Sequence, residues 1–370
     1  MNIRVRNRER LPRACVVIYL LTAVSAVIYA IFTRSPAFAD GFDRAISRWF
    51  RRALAALTGW FPFSAAEMLI LLLPVILGFL IFLAVRYYSQ SRKTVLSFLG
   101  RLLSAVCVVA ILFVWCFAAG YYGTALDRKL GLSREKVSAD DLYRTAVLLT
   151  EEINPLAERL LIASNGASVM PYSLSEMNEK LMAAYDAFTE NRDFPDRFHS
   201  RVKPVMLSHA MSYTHITGVY SFFTGEANVN VAFPDYCIPF TAAHELAHQR
   251  GVAREDEANF IAFLVCVSSD DDYIRYSGLL NVYEYVAGAL YSADRTLYRA
   301  AYAELDENAV SEERAYAVFF EQFRKNVAAT ISEKTNNAYL QSQGAKEGSK
   351  SYDMVVDLAV AYYRPQFTTE

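Results

Sequence analysis

Three apolar stretches near the start of the chain, Ala14–Phe32, Ala65–Val85 and Leu102–Tyr122, limit what it can fold into more than any other feature. Each approaches the ~20 residues that cross ~30 Å of hydrocarbon at about 1.5 Å per residue. Their interiors carry no charge, which predicts three transmembrane helices rather than core helices of a soluble domain. Arg4, Arg6, Arg8 and Arg10 precede the first stretch, and Ala37-Phe38-Ala39 beyond it looks like a signal-peptide cleavage site. The length of the stretch and the presence of two further spans predict an uncleaved anchor instead.

Between the first two spans, about 41–60, Phe42, Ile46, Trp49, Phe50, Ala53, Leu57 and Trp60 recur at helical spacing. Arg44, Arg48, Arg51 and Arg52 fall largely on the other side. Such a helix lies in the headgroup plane of a bilayer with its rings buried and its arginines snorkelling outward, or packs on the soluble part of the chain. The count of positive residues flanking the spans is equal on the two sides, so it does not orient them. A short tail with five arginines is costly to translocate, whereas anionic lipid can neutralise the arginines of an interfacial helix. The expected topology therefore has a cytoplasmic N-terminus and an extracytoplasmic C-terminal domain on the cell membrane.

Hydrophobic residues make up 54% of the chain, above the ~45–50% of ordinary globular proteins, and the excess sits in this first third. So much apolar surface excludes a disordered polyelectrolyte. A net charge of −2 offers no basic domain, so no nucleic-acid partner is expected. None of the five cysteines forms a CxxC pair, which argues against a disulfide scaffold and a thiolate zinc finger.

The predicted membrane domain is 1–125. From Leu126 onward no stretch is long and apolar enough to span, and 126–370 is enough chain for one sizeable core. It is expected to be helix-rich. Ser138 caps a helix to about Ala163 that Pro155 kinks, and Ser173-x-x-Glu176 is a capping box for a helix to about Thr189. Further helical patterns cover Tyr273–Tyr291, Ala293–Leu305, Ser311–Ala338 and Tyr352–Tyr363, with Gly344–Ser351 as a loop. Only Gly218–Phe233 alternates like a strand, broken at Thr224-Gly225. Pro239 then sets the first turn of a helix.

That helix carries His244-Glu245-Leu246-Ala247-His248. Residues four apart share a helix face, so both imidazoles point the same way, one turn apart, and can bind Zn²⁺ at ~2.0–2.1 Å. Glu245 stands beside such an ion rather than on it, where a carboxylate can hold and deprotonate a water on the metal. Gly251 closes the helix as a left-handed residue would. A second helix, Arg254–Val267, supplies the missing anionic ligand. Glu255 is favoured, with Asn259 one turn on as a hydrogen-bonding support, and Glu257 is the alternative. Unused acids would be solvated or pair with Arg250 and Arg254.

His244-Glu245-x-x-His248, Gly251 and Glu255-x-x-Ala258-Asn259 resemble the zincin metallopeptidases whose third ligand is glutamate, the gluzincins. The segment Phe223–Phe260 is also similar to a bacterial membrane-protein family known only as a domain of unknown function. The resemblance implies His244, His248 and Glu255 as zinc ligands and Glu245 as general base. It also implies an edge strand at Ala227, Asn228, Val229 and Asn230 that pairs with an extended substrate. His248 and Glu255 are only seven positions apart, where many gluzincins place a long insertion, so a tight turn must join the helices. The motif lies outside the spans, unlike that of intramembrane proteases.

The expected architecture is α+β, mainly helical: three N-terminal transmembrane helices and a zincin-like domain with a small sheet. The expected function is a one-zinc endopeptidase acting on peptide or protein substrates, membrane or envelope proteins above all. The alternative is a non-catalytic sensor or interaction protein in which zinc is a structural staple. A second oxyanion donor could be Tyr276, Tyr283, Arg275 or His215. His199, His209 and His215 otherwise read as ordinary hydrogen-bonded histidines, Cys237 and Cys266 as unpaired buried thiols, and Asp270–Asp272 as a loop or helix start.

Overall fold

The computed structural model describes residues 11–324, 326–344, 348 and 354–367. Arg4, Arg6, Arg8 and Arg10, Tyr352 and most of the Gly344–Ser351 loop lie outside these residues. Among the described residues the chain is mainly helical with one three-stranded sheet, and it divides into two compact units. The first ends at Gly123 but also takes in the distant segment Ser221–Glu226; the second holds the remainder.

The first unit contains α1 (Arg13–Phe32), α2 (Pro36–Phe42), α3 (Arg48–Gly59), α4 (Ala65–Tyr88), α5 (Arg92–Phe113) and α6 (Ala119–Tyr122). Single π-helical turns at Asp43–Ser47 and Val114–Ala118 join α2 to α3 and α5 to α6. Among the described residues three helices are long and apolar enough to cross a membrane: α1, α4 and the continuous run Arg92–Tyr122. The third begins ten residues before the predicted Leu102, because Ser91 caps it by accepting from Thr94 N at 3.2 Å. None of the most apolar stretch of α4 is buried within the protein. An exposed apolar surface of that extent suits hydrocarbon, not water.

One expectation for the interfacial segment is corrected. Arg51 does not lie on the outer polar side but is fully buried. Its guanidinium forms a two-pronged ion pair with Asp43, at 2.6 and 3.1 Å, and donates to Cys116 O at 3.1 Å. The π turn at Asp43–Ser47 shifts the register assumed by an unbroken 3.6-residue period, and the pairing with Asp43 offsets the cost of burying the guanidinium charge. Trp49, Leu57 and Trp60 remain exposed, with Arg48 and Arg52 each 5.3 Å from the centre of the Trp49 ring.

Phe222, Gly225 and Glu226 help to hold Ser221–Glu226 in this unit. The Phe222 ring lies 5.3 Å from that of Phe113. Gly225, at φ +71°, packs so closely that a Cβ there would meet Leu54 Cβ at 2.6 Å and Ala55 N at 2.8 Å. The buried Glu226 carboxylate accepts from Ala65 N at 3.0 Å and Ala66 N at 2.9 Å, and Ser64 Oγ accepts from Glu67 N at 3.0 Å. The first amides of α4, which no helical carbonyl reaches, are thereby satisfied.

In the second unit, α7 (Leu126–Leu130), α8 (Ala139–Ala157), α9 (Leu174–Thr189), α10 (Ser208–Ser212), α11 (Cys237–Gln249), α12 (Glu255–Val267), α13 (Asp272–Ala293), α14 (Arg295–Ala303), α15 (Glu307–Glu321), α16 (Val327–Ser342) and α17 (Val355–Tyr363) surround one core. The predicted helix over Ser311–Ala338 is two helices. Asn326 accepts from Ala329 N at 2.8 Å and starts a new one, and the chain breaks where Phe323 turns into the core. Cys237 and Cys266 are buried and unpaired.

The sheet order is β1-β3-β2, with β1 at Val202–Pro204, β2 at Gly218–Ser221 and β3 at Glu226–Val229. β1 was not evident as a strand in the sequence. It runs parallel to β3, pairing Val202 with Ala227 and Pro204 with Val229. Ala227, Asn228 and Val229 therefore sit on the central strand, buried and flanked on both sides, and cannot form the edge the resemblance implied. Asn230, one residue beyond, donates to Thr217 O at 2.8 Å and ties loops together through Ser212 Oγ and Ile216 O. Asn178 occupies the backbone of β1, accepting from Val202 N at 2.8 Å and donating to Val202 O at 3.1 Å. The edge left for pairing is β2.

Candidate metal centre

All thirteen residues of α11 are buried, so every polar side chain on it must find a partner inside the protein. The way this helix ends fixes the geometry of the cluster. Gly251, at φ +96°, adopts the left-handed conformation that favours glycine. Val252 N then bonds Ala247 O at 3.1 Å and Gly251 N bonds His248 O at 3.0 Å, a Schellman closure. The chain turns back at once, and α12 starts at Glu255 beside the last turn of α11. This is how seven positions suffice to bring ligands from two helices together.

His244 and His248 have ring centroids 4.5 Å apart and planes at 89°. Both Nε2 atoms lie 3.3 Å from Glu255 Oε2. The three side chains offer ligand atoms within 4.8 Å of one another, and all three are buried. Their remaining ring nitrogens are engaged: His248 Nδ1 with Val252 O at 2.7 Å, His244 Nδ1 with Asn259 Oδ1 at 2.8 Å. A carbonyl oxygen only accepts, so His248 carries a hydrogen on Nδ1, and once the proton on Nε2 is displaced the Nε2 lone pair faces the cluster. Asn259→Ala is accordingly expected to weaken metal affinity by about 10–100-fold, the usual cost of losing such a partner. Competition with a chromophoric chelator measures it.

The electrostatics are compatible with a bound cation. Burial alone would raise the Glu255 carboxyl, but the imidazoles of His248 and His244 outweigh it and hold it well below the usual range. Burial lowers His248, yet the adjoining Glu255 carboxylate prevails and lifts it to about 9. Glu245 is pushed up to about 6 by burial, partly offset by His244 and His248. Its Oε2 is buried without a hydrogen-bond partner, an arrangement that costs free energy unless something else occupies the space beside it. Two imidazoles, one carboxylate and an open oxygen alongside fit a divalent ion.

Glu257 does not take part. It accepts from Leu126 N at 2.9 Å and pairs with Arg254 at 3.1 Å, while Asp256 pairs with Arg134 at 2.7 Å. Neither acid is paired with Arg250, which is buried against Tyr185 and Phe198 and donates to Phe198 O and Leu246 O. His215, at φ +59°, engages Phe323 O with Nε2 at 2.6 Å. The Tyr276 environment is Glu312, Tyr273, Glu284 and Glu313, and that of Tyr283 includes Glu313, Tyr298 and Tyr302. His199 pairs with Asp186 at 2.8 Å, and His209 packs on Tyr213 and Phe323.

Three contributors were missed in the sequence. Val252 acts through its carbonyl, which no side chain announces. Gly218, on β2, lies where a Cβ would stand 2.6 Å from Glu245 Oε1 and 2.7 Å from Glu245 Cγ and Thr241 Cγ2. The backbone N–H of Tyr220 on the same strand bonds the Glu245 carboxylate. A glycine opening a strand pattern is the signal of close approach that would have found Gly218.

Fold and site define a mainly helical protein with three helices suited to a membrane and a buried two-histidine, one-glutamate cluster able to hold a metal ion. The chain belongs to the DUF3810 family, described as a protein of unknown function, which it matches over residues 42–360. No curated protein and no solved structure matches it.

Proposed function

We propose that this protein is a membrane-anchored, zinc-dependent endopeptidase of the gluzincin type. The observation that carries the proposal is the convergence of His244, His248 and Glu255 within 4.8 Å, next to a Glu245 oxygen that is buried and unpaired. Zinc bound there would supply Lewis-acid polarisation of a scissile carbonyl. Glu245 would take a proton from the attacking water and return it to the leaving amine. Among the described residues the cluster comprises three ligands, which suits an open fourth position better than a closed structural site.

The extended substrate would pair with β2 rather than with the strand first expected. The Asn230 N–H to Thr217 O bond sets the hairpin register, and alternation then turns the backbone groups of Gly218 and Tyr220 away from β3, toward Glu245. Membrane or envelope proteins are the proposed substrates, since anchoring raises local concentration. The proposed topology keeps the N-terminus cytoplasmic and the metal centre extracytoplasmic.

The test uses the full-length protein in detergent. Metal analysis should find about one zinc per chain, and a mixed peptide library should be cut in a chelator-sensitive manner. Zinc retained without cleavage of any peptide or membrane-protein substrate would favour the sensor role, and failure to bind zinc at all would remove both.

A further inference from the structure

We infer that the β2–β3 hairpin is a positioning lever for Glu245: its stem sets the carboxylate, and its tip is seated on the helices of the first unit. The stem acts at two points. The Tyr220 N–H holds one carboxylate oxygen, and the bare Cα of Gly218 lets Oε1 and Cγ approach to where a methyl group would stand at 2.6 and 2.7 Å. The second oxygen, Oε2, is left without a hydrogen bond. One side of the carboxylate is thus tethered to a strand and the other is presented.

The tip is fixed more firmly than a surface turn requires. Glu226, 2% exposed, spends both oxygens on the amides of Ala65 and Ala66. Phe222 and the left-handed Gly225 close the remaining sides, the latter with no room for a side chain against Leu54 and Ala55. Tyr220 and Glu226 are six positions apart on one hairpin. The turn and the Asn230 N–H to Thr217 O bond together set the hairpin register, and a one-residue slip inverts every outward-facing group. Freeing the tip should therefore misplace the Tyr220 N–H and, with it, Glu245, without touching the metal ligands.

Hydrogen exchange on the full-length protein in detergent tests the lever without reference to any reaction. Glu245→Ala should accelerate exchange at the Tyr220 amide. Glu226→Ala, whose site is at the other end of the hairpin, should do so by at least about tenfold, with bound zinc unchanged. Glu226→Gln, which keeps one acceptor oxygen, should fall between, and Phe222→Leu offers a milder lesion should Glu226→Ala not fold. Unchanged exchange at Tyr220 in Glu226→Ala and Phe222→Leu overturns the inference.

The kinetic arm rests on the endopeptidase proposal. Glu226→Ala and Gly218→Ala should each lower kcat about tenfold with KM nearly constant, the pattern of a displaced group that acts in the transition state. An inactive parent protein would count against the peptidase alone, since the exchange arm decides the lever by itself. Equal losses in kcat and in zinc content would overturn the lever in favour of general destabilisation.

Discussion

Glu245→Gln is expected to keep zinc in place and to lower peptide hydrolysis by about 10²–10⁴-fold, the range general acid–base catalysis supplies. Glutamine has nearly the same shape, so the packing under Gly218 and the contact with the Tyr220 N–H persist. What disappears is the basic oxygen. Zinc content and turnover measured on the same preparation separate this from misfolding. Turnover retained at the parental level would remove Glu245 from the proposed chemistry.

The second large effect is expected at Glu255. With no metal bound, His248 titrates near 9 because burial, which lowers it, loses to the Glu255 carboxylate. At pH 7 the ring is therefore protonated, and a metal ion can bind only by displacing that proton. Affinity should accordingly fall about tenfold for each pH unit below about 9, and binding at pH 7 should release about one proton per ion. Calorimetry in buffers of different ionisation enthalpy counts it. Glu255→Gln removes both the ligand and the charge that holds the proton. Its zinc affinity should drop by more than the ~10–100-fold cost of losing an outer hydrogen-bond partner, and proton release should shrink toward zero. Undiminished affinity in this variant would place the ion elsewhere.

Much of this was legible in the sequence because it depends on periodicity. Apolar runs of helical length marked the three long helices, and the four-residue spacing of His244 and His248 placed both rings on one face. Glu255 and Asn259 were legible for the same reason: a helix starting just after a left-handed glycine presents its first turn to the end of the one before. Periodicity failed where a local defect changed the count. The π turn at Asp43–Ser47 carried Arg51 inward to Asp43, and a helix pattern through Ser311–Ala338 hid the break near Phe323. It also failed for pairing. Alternation within Gly218–Phe233 announced strands but not their order, which depends on Val202–Pro204, a segment of three residues with a proline. The oxyanion candidates Tyr276 and Tyr283 rested on proximity along the chain alone, and periodicity offers no means of choosing between them.

The side-chain amide of Asn178 closes one margin of the sheet, and the strand at the other margin, Gly218–Ser221, is four residues long. In the proposed peptidase, a peptide laid along it would gain ladder bonds over at most about 13 Å at ~3.3 Å per residue. So short a rail supplies little grip from main-chain bonding alone. On that proposal, discrimination among polypeptides would come from the few side chains flanking the scissile bond, and unfolded or loop segments, already extended, would be preferred over folded ones.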